Sequence, residues 1–317
     1  MYDRHKLKKE SHTLVSMLNP KQMQIFEEIT NNVLEKEGGL YFVYGHGGTG
    51  KTFLWKTIIS SLRSKEKIVL AVASSGIASL LIEGGRTAHS RFKIPLNIYE
   101  NSTCGIKQHS YLAELISQTD LVVWDEAPMN HKHIFEAVDR SFRDIMRLKD
   151  PSNLEKPFGG KTVLLGGDFR QILPVLPKKG RADIVMSSIS KSYLWKQCKV
   201  FKLDQNMRIE ANVPPVTVGG ISIPYMEWII KVGDGTAESV SMDDSGEANL
   251  IEIPKELLLD PGDDGKKTII DKIYSELEAR HMEPNYFRDR AILTPINEDV
   301  DSINTEVLRR STGTSCV

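Results

Sequence analysis

Through its first two thirds the chain alternates short runs of consecutive apolar residues with stretches whose apolar positions recur every three or four residues. The runs are Leu40–Tyr44, Ile68–Ala73, Leu121–Trp124, Thr162–Leu165 and Val200–Leu203. Runs this short, apolar at nearly every position, predict strands covered on both faces. Between the first two lies FLWKTIISSLRSK, in which Leu54, Ile58 and Leu62 share one helical face. Asn130–Leu148 repeats the pattern with Phe135, Val138, Phe142 and Ile145. Buried strands separated by helices predict an α/β protein with a doubly wound parallel sheet.

After Gln205 the pattern breaks. Residues 209–226, IEANVPPVTVGGISIPYM, hold three prolines and a glycine pair, so no helix is expected there. Tyr225–Val232 predicts a short helix ended by the Gly-Asp-Gly of 233–235. Residues 234–249 and 260–267 are acidic and glycine-bearing and read as surface loops. Leu250–Ile253 and Ala291–Leu293 predict strands, and Thr268–Arg280 and Asn297–Arg310 predict helices. The expected organisation is an N-terminal tail (1–17), a first domain (18–205), and a linker with an incomplete second domain (206–317).

Composition changes this picture little. Of 317 residues 40% are hydrophobic and 26% charged, and the formal net charge is −1, so no global basic excess announces a nucleic-acid partner. A basic channel can still be local. Cys104, Cys198 and Cys316 form no CxxC pair, which argues against a zinc finger or a disulfide framework and for a reducing, intracellular compartment. No cysteine or carboxylate cluster turns His131 and His133 into a metal site. The start, MYDRHKLKKESHTL, has no apolar core of a secretory signal. No apolar stretch approaches the roughly 18 residues that cross a bilayer, so no membrane partner is expected.

The chemistry begins with GHGGTGKT, residues 45–52, which fits the phosphate-binding pattern G-x-x-x-x-G-K-[ST] between a strand and a helix. Backbone N–H groups from Gly45, Gly47, Gly48, Thr49 and Gly50 can curl around phosphate oxygens, helped by the helix N-terminus. Lys51 would reach the β- and γ-phosphates and Thr52 would hold Mg²⁺. LVVWDEAPM adds Asp125 as a second metal-binding group and Glu126 as the base for an attacking water, a pairing that favours hydrolysis over transfer. GGDFRQILPV then ends a third strand of the same sheet. Its Gln171 either senses the γ-phosphate or caps a solvated turn.

Together these motifs resemble the Pif-like 5′-to-3′ DNA helicases of superfamily 1, in the form found in plant genomes and Helitron transposons. The resemblance rests on LNPKQMQIFEEI, GHGGTGKT, ASSGIASLLIEGGRTAHSRFKIP, VVWDEAPM, PFGGKTVLLGGDFRQILPV and LDQNMR, and resumes at WIIKVGDG and RAILTPINEDVDSIN. It implies a RecA-like first domain and a partial second one, with ATP and Mg²⁺ at the site. Gln22 would read adenine, Gln171 would be the sensor, and Arg208 would stabilise charge on the transferring phosphoryl group. Ser75, Gly76, Thr87, His89 and Phe92 would face single-stranded DNA, with Phe92 available for base stacking; the alternatives are a core position for Phe92 and a satisfied structural role for His89. Lys178, Lys179 and Arg181 could meet phosphates or simply face solvent. The implied partners are single-stranded DNA and duplex junctions. The implied roles are DNA repair, recombination and telomere maintenance, in the nucleus.

The sequence departs from the family in two places. The family continues past the point matching residue 317 with motifs V and VI, and neither a T-x-H-K-x-Q-G nor an A-L-S-R stretch is present here. Residues 211–224 replace what would be a helical lead into WIIKVGDG. A nucleotide-binding module without motor activity and another class of P-loop enzyme therefore stay open as alternatives, and the oligomeric state is undetermined.

Overall fold

The apolar runs become strands because two layers of helices cover them. A computed structural model describes residues 3–207, 214–237, 239–240, 250–283 and 285–312, and the chain divides into two units, Met1–Val213 and Pro214–Val317. The first unit begins with α1 (Arg4–Ser16), α2 (Pro20–Glu35), β1 (Gly39–Gly45), α3 (Lys51–Ser64) and β2 (Val69–Ala73). It continues with α4 (Gly76–Leu80), β3 (Arg86–Thr87), α5 (Ala88–Phe92), α6 (Tyr111–Gln118) and β4 (Leu121–Asp125). Last come α7 (Lys132–Met146), β5 (Thr162–Gly167), α8 (Arg181–Ser187) and β6 (Cys198–Leu203). Residues 4–16, expected as a tail, are thus a helix. It packs on α3 with Leu7 and Leu14 buried.

All six strands are parallel, in the order β3-β2-β4-β5-β1-β6. Successive side chains of a strand point to opposite faces. Leu40 and Phe42 of β1 accordingly join a core with Trp124, Phe135 and Phe142, while Tyr41 and Val43 join another with Ile25, Leu54, Trp55 and Ile58. Helices α2 and α3 close one face, and α6 and α7 close the other. Each large side chain sealed this way contributes about 1.5–3 kcal/mol. In β5, Gly166 lets the layers approach: a Cβ there would stand 2.2 Å from the Trp55 ring.

In open parallel sheets, ligands sit beyond the carboxyl ends of the strands. Here β5 lies between β4 and β1. The residues following these strands therefore meet at one edge: the P-loop after β1, Asp125–Glu126 at the end of β4, and Asp168–Gln171 after β5.

The second unit holds β7 (Val216–Val218), β8 (Ile221–Ile223), α9 (Tyr225–Asp234), β9 (Ser239–Val240), β10 (Leu250–Ile251), α10 (Gly265–Ile273), α11 (Leu277–Arg280) and α12 (Asn297–Thr312). Strands β7 and β8 pair antiparallel, as do β9 and β10. Among the described residues this unit contains no parallel sheet, where the resemblance implies part of a second RecA-like domain. Within the 209–226 segment, where no helix was expected, β7 and β8 form a hairpin. Two local expectations are corrected. The helix expected over 268–280 is broken between Ile273 and Leu277, where Glu276 adopts the left-handed conformation (φ 59°). Residues 291–293 form no strand, since nothing among the described residues pairs with them.

Candidate functional site

Residues 46–50 turn between β1 and α3 and leave Lys51 nearly buried at the first helical position. Its Nζ donates to the Gly45 carbonyl at 2.5 Å and lies 3.5 Å from the His46 carbonyl, so the ammonium is folded back on its own loop. Thr49 Oγ1 donates to the His46 carbonyl at 2.9 Å. The chain leaving β6 crosses this loop. Asn206 Nδ2 donates to the Gly47 carbonyl at 3.2 Å, and the Met207 amide donates to the Gly48 carbonyl at 2.7 Å. His46 Nε2 lies 3.3 Å from the Asp204 carbonyl, and Asp204 pairs with Lys21. Sequence reasoning missed this roof. The motif LDQNMR points to its arginine rather than to Asn206 and Met207, and Arg208 lies outside the described residues.

Gln22 is buried where α2 meets the P-loop. Its Oε1 accepts from the Asn19 amide at 3.1 Å and its Nε2 donates to the Thr49 carbonyl at 3.2 Å. With Asn19 accepting from the Gln22 amide, the pair forms the capping box that starts α2. A primary amide offers two donors and two lone pairs, so Gln22 keeps capacity for a further partner.

The carboxylates stand across the cavity. Asp125 is 3% exposed. Burial pushes its carboxyl above the ordinary range, while the Trp55 indole N–H, the Glu126 amide and the Lys51 charge oppose that rise. Glu126 sits in the left-handed region, φ 52°, which for a residue with a side chain costs about 1–3 kcal/mol. Burial and the Asp125 charge push its carboxyl up, Lys51 pulls it down, and Asp168 adds a smaller rise. Gln171 is exposed on the loop after β5, where its amide donates to the Asp168 carbonyl at 3.2 Å. Behind Asp125, Ser74 Oγ accepts from Trp124 Nε1 (3.2 Å) and Asn130 Nδ2 (2.8 Å), and the Ser74 amide donates to the Asp125 carbonyl at 3.1 Å.

One cavity of 490 Å³ gathers Gln22, residues 47–52, Asp125, Glu126, Gln171 and Met207. That volume lies within the usual range for small-molecule sites. Thr52 and Asp125 fit a magnesium ion. A buried carboxylate whose proton is held unusually tightly is short of positive charge, and the Thr52 hydroxyl, lining the same cavity, can supply a second oxygen. Magnesium is typically held by only one or two carboxylates plus substrate phosphates. Among the described residues no group of three or more His, Cys, Asp or Glu side chains is arranged to hold a metal alone.

The residues expected to face DNA divide in two. Gly76 is exposed, and Ser75 and Thr87 are half-buried N-caps of α4 and α5, accepting from the Ala78 and Ser90 amides. His89 is half-buried, and burial lowers its pKa. Phe92 corrects the expectation. It is 0% exposed, packed edge-on against Phe142 and tilted against Trp124, and offers no ring face to a base. The last residue of α5 turns inward because that helix lies on the sheet. Lys178, Lys179 and Arg181 are exposed.

A family model described as PIF1-like helicase matches residues 17–243. Over 142 residues the chain is 34% identical to the ATP-dependent DNA helicase PIF4 of Trypanosoma brucei brucei, covering 43% of this chain and 17% of that protein. Over 197 residues it is 30% identical to the ATP-dependent DNA helicase RRM3 of Saccharomyces cerevisiae, covering 58% of this chain and 26% of that protein. The chain thus spans about a quarter or less of these relatives' length. In structure it is similar to a Pif1 helicase from Bacteroides in complex with ADP-AlF3 and single-stranded DNA. The TM-score is 0.59 at 22% identity, over 92% of this chain and 57% of that one, a likeness of fold.

Proposed function

Because the chain belongs to the PIF1-like helicase family, we propose that it binds and hydrolyses MgATP and couples hydrolysis to movement along single-stranded DNA. The observation that carries the reading is the gathering of Lys51, Thr52, Asp125, Glu126 and Gln171 around one cavity from three separate loops. Lys51 would leave the Gly45 carbonyl for phosphate oxygens, and the loop amides would cradle those oxygens. Magnesium, when held by Thr52 and Asp125, would neutralise charge on the phosphates. Glu126 would take the proton of the attacking water. Its raised pKa makes it a stronger base than an ordinary carboxylate, and positioned general bases contribute about 10²–10⁴-fold. Gln171 would touch the γ-phosphate or that water, and Arg208 would stabilise the charge that develops on the phosphoryl group.

The family resemblance extends the reading to 5′-to-3′ polarity, to duplex junctions as the working substrate, to repair, recombination and telomere maintenance, and to a nuclear location. A second reading, nucleotide binding without motor activity, draws on the small antiparallel sheets of the second unit. Strand displacement separates the two. On the motor reading the chain, given ATP, releases a strand from a 5′-tailed duplex and not from a 3′-tailed one. ATP binding with no displacement of either substrate would favour the second reading.

A further inference from the structure

At the opposite edge of the sheet, before β1, β4 and β5 begin, lies a second cavity of 450 Å³. Lys36, Lys149, Lys156 and Lys161 line it, against Glu37 and Asp120. Both carboxylates are already engaged. Asp120 accepts from the Ile68 amide at 2.8 Å and faces Lys67 at 3.5 Å, and Glu37 accepts from Asn32 Nδ2 at 3.2 Å.

Lys161 Nζ donates to the carbonyls of Ser117 and Thr119, each at 2.8 Å, and Lys149 Nζ donates to the same Ser117 oxygen at 3.0 Å. Two ammonium nitrogens on one oxygen lie within about 6 Å of each other, close enough for each to disfavour the other's charge. Satisfying the C-terminal carbonyls of α6 accounts for one lysine there. A second adds repulsion that an anion would relieve. Burial, and after it Lys149, hold the Lys161 ammonium down to about 8 in spite of Asp120. Each ammonium has three donors, so the carbonyl contacts leave some unspent. The backbones of Gly38, Gly159 and Gly160 also line the cavity.

We infer that this cavity is a second phosphate site, binding a phosphate-bearing anion between Lys149 and Lys161. Several charge-assisted donors around an open space of this size suit a pyrophosphate or the backbone of a nucleic-acid strand, whose oxygens accept in several directions. The inference is independent of the nucleotide reading, because the two cavities share no lining residue.

The test is lysine acylation read by peptide mass spectrometry, in the full chain carrying Lys51→Ala so that the P-loop does not report. Pyrophosphate, 5′-phosphorylated oligothymidylate and chloride at matched ionic strength are compared. Pyrophosphate or the oligonucleotide is expected to slow acylation of Lys149 and Lys161 about fivefold or more relative to chloride, with Lys8 and Lys9 on α1 unchanged. Protection by pyrophosphate alone identifies a small free phosphate as the ligand, and protection by the oligonucleotide alone identifies a strand. Lys149→Gln and, separately, Lys156→Gln change exposed side chains, and an unchanged thermal transition confirms that each variant folds. Lys149→Gln should weaken protection of Lys161 about tenfold. Protection should also fade from pH 7 to pH 9 as Lys161 loses its proton. Equal acylation under all three conditions, or protection of Lys161 that neither variant weakens, would overturn the proposal.

Discussion

The most specific structural claim at the nucleotide site is that residues 206–207 roof the P-loop, and Gly48→Ala tests it. Gly48 has φ +86°, where an L-residue is disfavoured by about 1–2 kcal/mol. A Cβ there would stand 2.5 Å from Asn206 Oδ1 and 2.9 Å from its Cγ and Nδ2. The amide must swing away and lose its 3.2 Å bond to the Gly47 carbonyl, worth about 1 kcal/mol. The expected cost is about 2–3 kcal/mol, or about 5–10 °C in Tm for a unit of this size. Circular dichroism melts of the single and double variants form the assay. Asn206→Ala alone should cost about 1 kcal/mol and, on top of Gly48→Ala, close to nothing, because the bond is already gone. Costs that simply add, or a Gly48→Ala variant within about 0.5 kcal/mol of the parent, would refute the roof.

Other outcomes follow from the same geometry. Glu126→Gln should bind ATP with little change and lose about 10²–10⁴-fold in hydrolysis, measured by phosphate release. The parent's rate should fall at acid pH, with a midpoint above the usual glutamate value because the Glu126 pKa is raised, and that limb should be absent from the residual rate of Glu126→Gln. Asp125→Asn should raise Tm near pH 7.5. A carboxyl held above its unfolded value destabilises the fold when ionised, so the gain should shrink as pH falls through the folded pKa and vanish below the ordinary value of 3.8. Phe92→Ala should cost about 3–5 kcal/mol by chemical denaturation, as emptied aromatic core positions do. A fully stable variant that had lost only DNA affinity would restore the stacking role.

Much of the first unit was legible because central parallel strands are apolar on both faces, as Leu40–Tyr44 and Leu121–Trp124 are. Strand β3 was not, because it is two polar residues, Arg86 and Thr87, that pair with Val72 and Ala73 and carry no apolar signal. In the second unit Pro214, Pro215 and Pro224 concealed a hairpin whose turn signal, Gly219–Gly220, stood in plain view between Val-Thr-Val and Ile-Ser-Ile. Conversely, Ala291–Leu293 had strand-like residues and no partner. That Lys51, Asp125 and Gln171 line one cavity was readable, because each ends or follows a strand of the same sheet. The roof from Asn206 and Met207 was not, because it is made by one side-chain and one backbone contact across about 160 residues of sequence. Phe92 shows the converse limit: a motif can suggest a ring for stacking, but only packing decides which way the ring points.

The central claim is that this cavity hydrolyses ATP in a manner governed by DNA. The most direct measurement is the steady-state rate of phosphate release from MgATP by the 317-residue chain, with and without single-stranded DNA, beside Lys51→Ala. The expected result is a rate that rises when single-stranded DNA is added and falls to background in Lys51→Ala under both conditions. A rate unmoved by DNA and equal in Lys51→Ala would contradict the account.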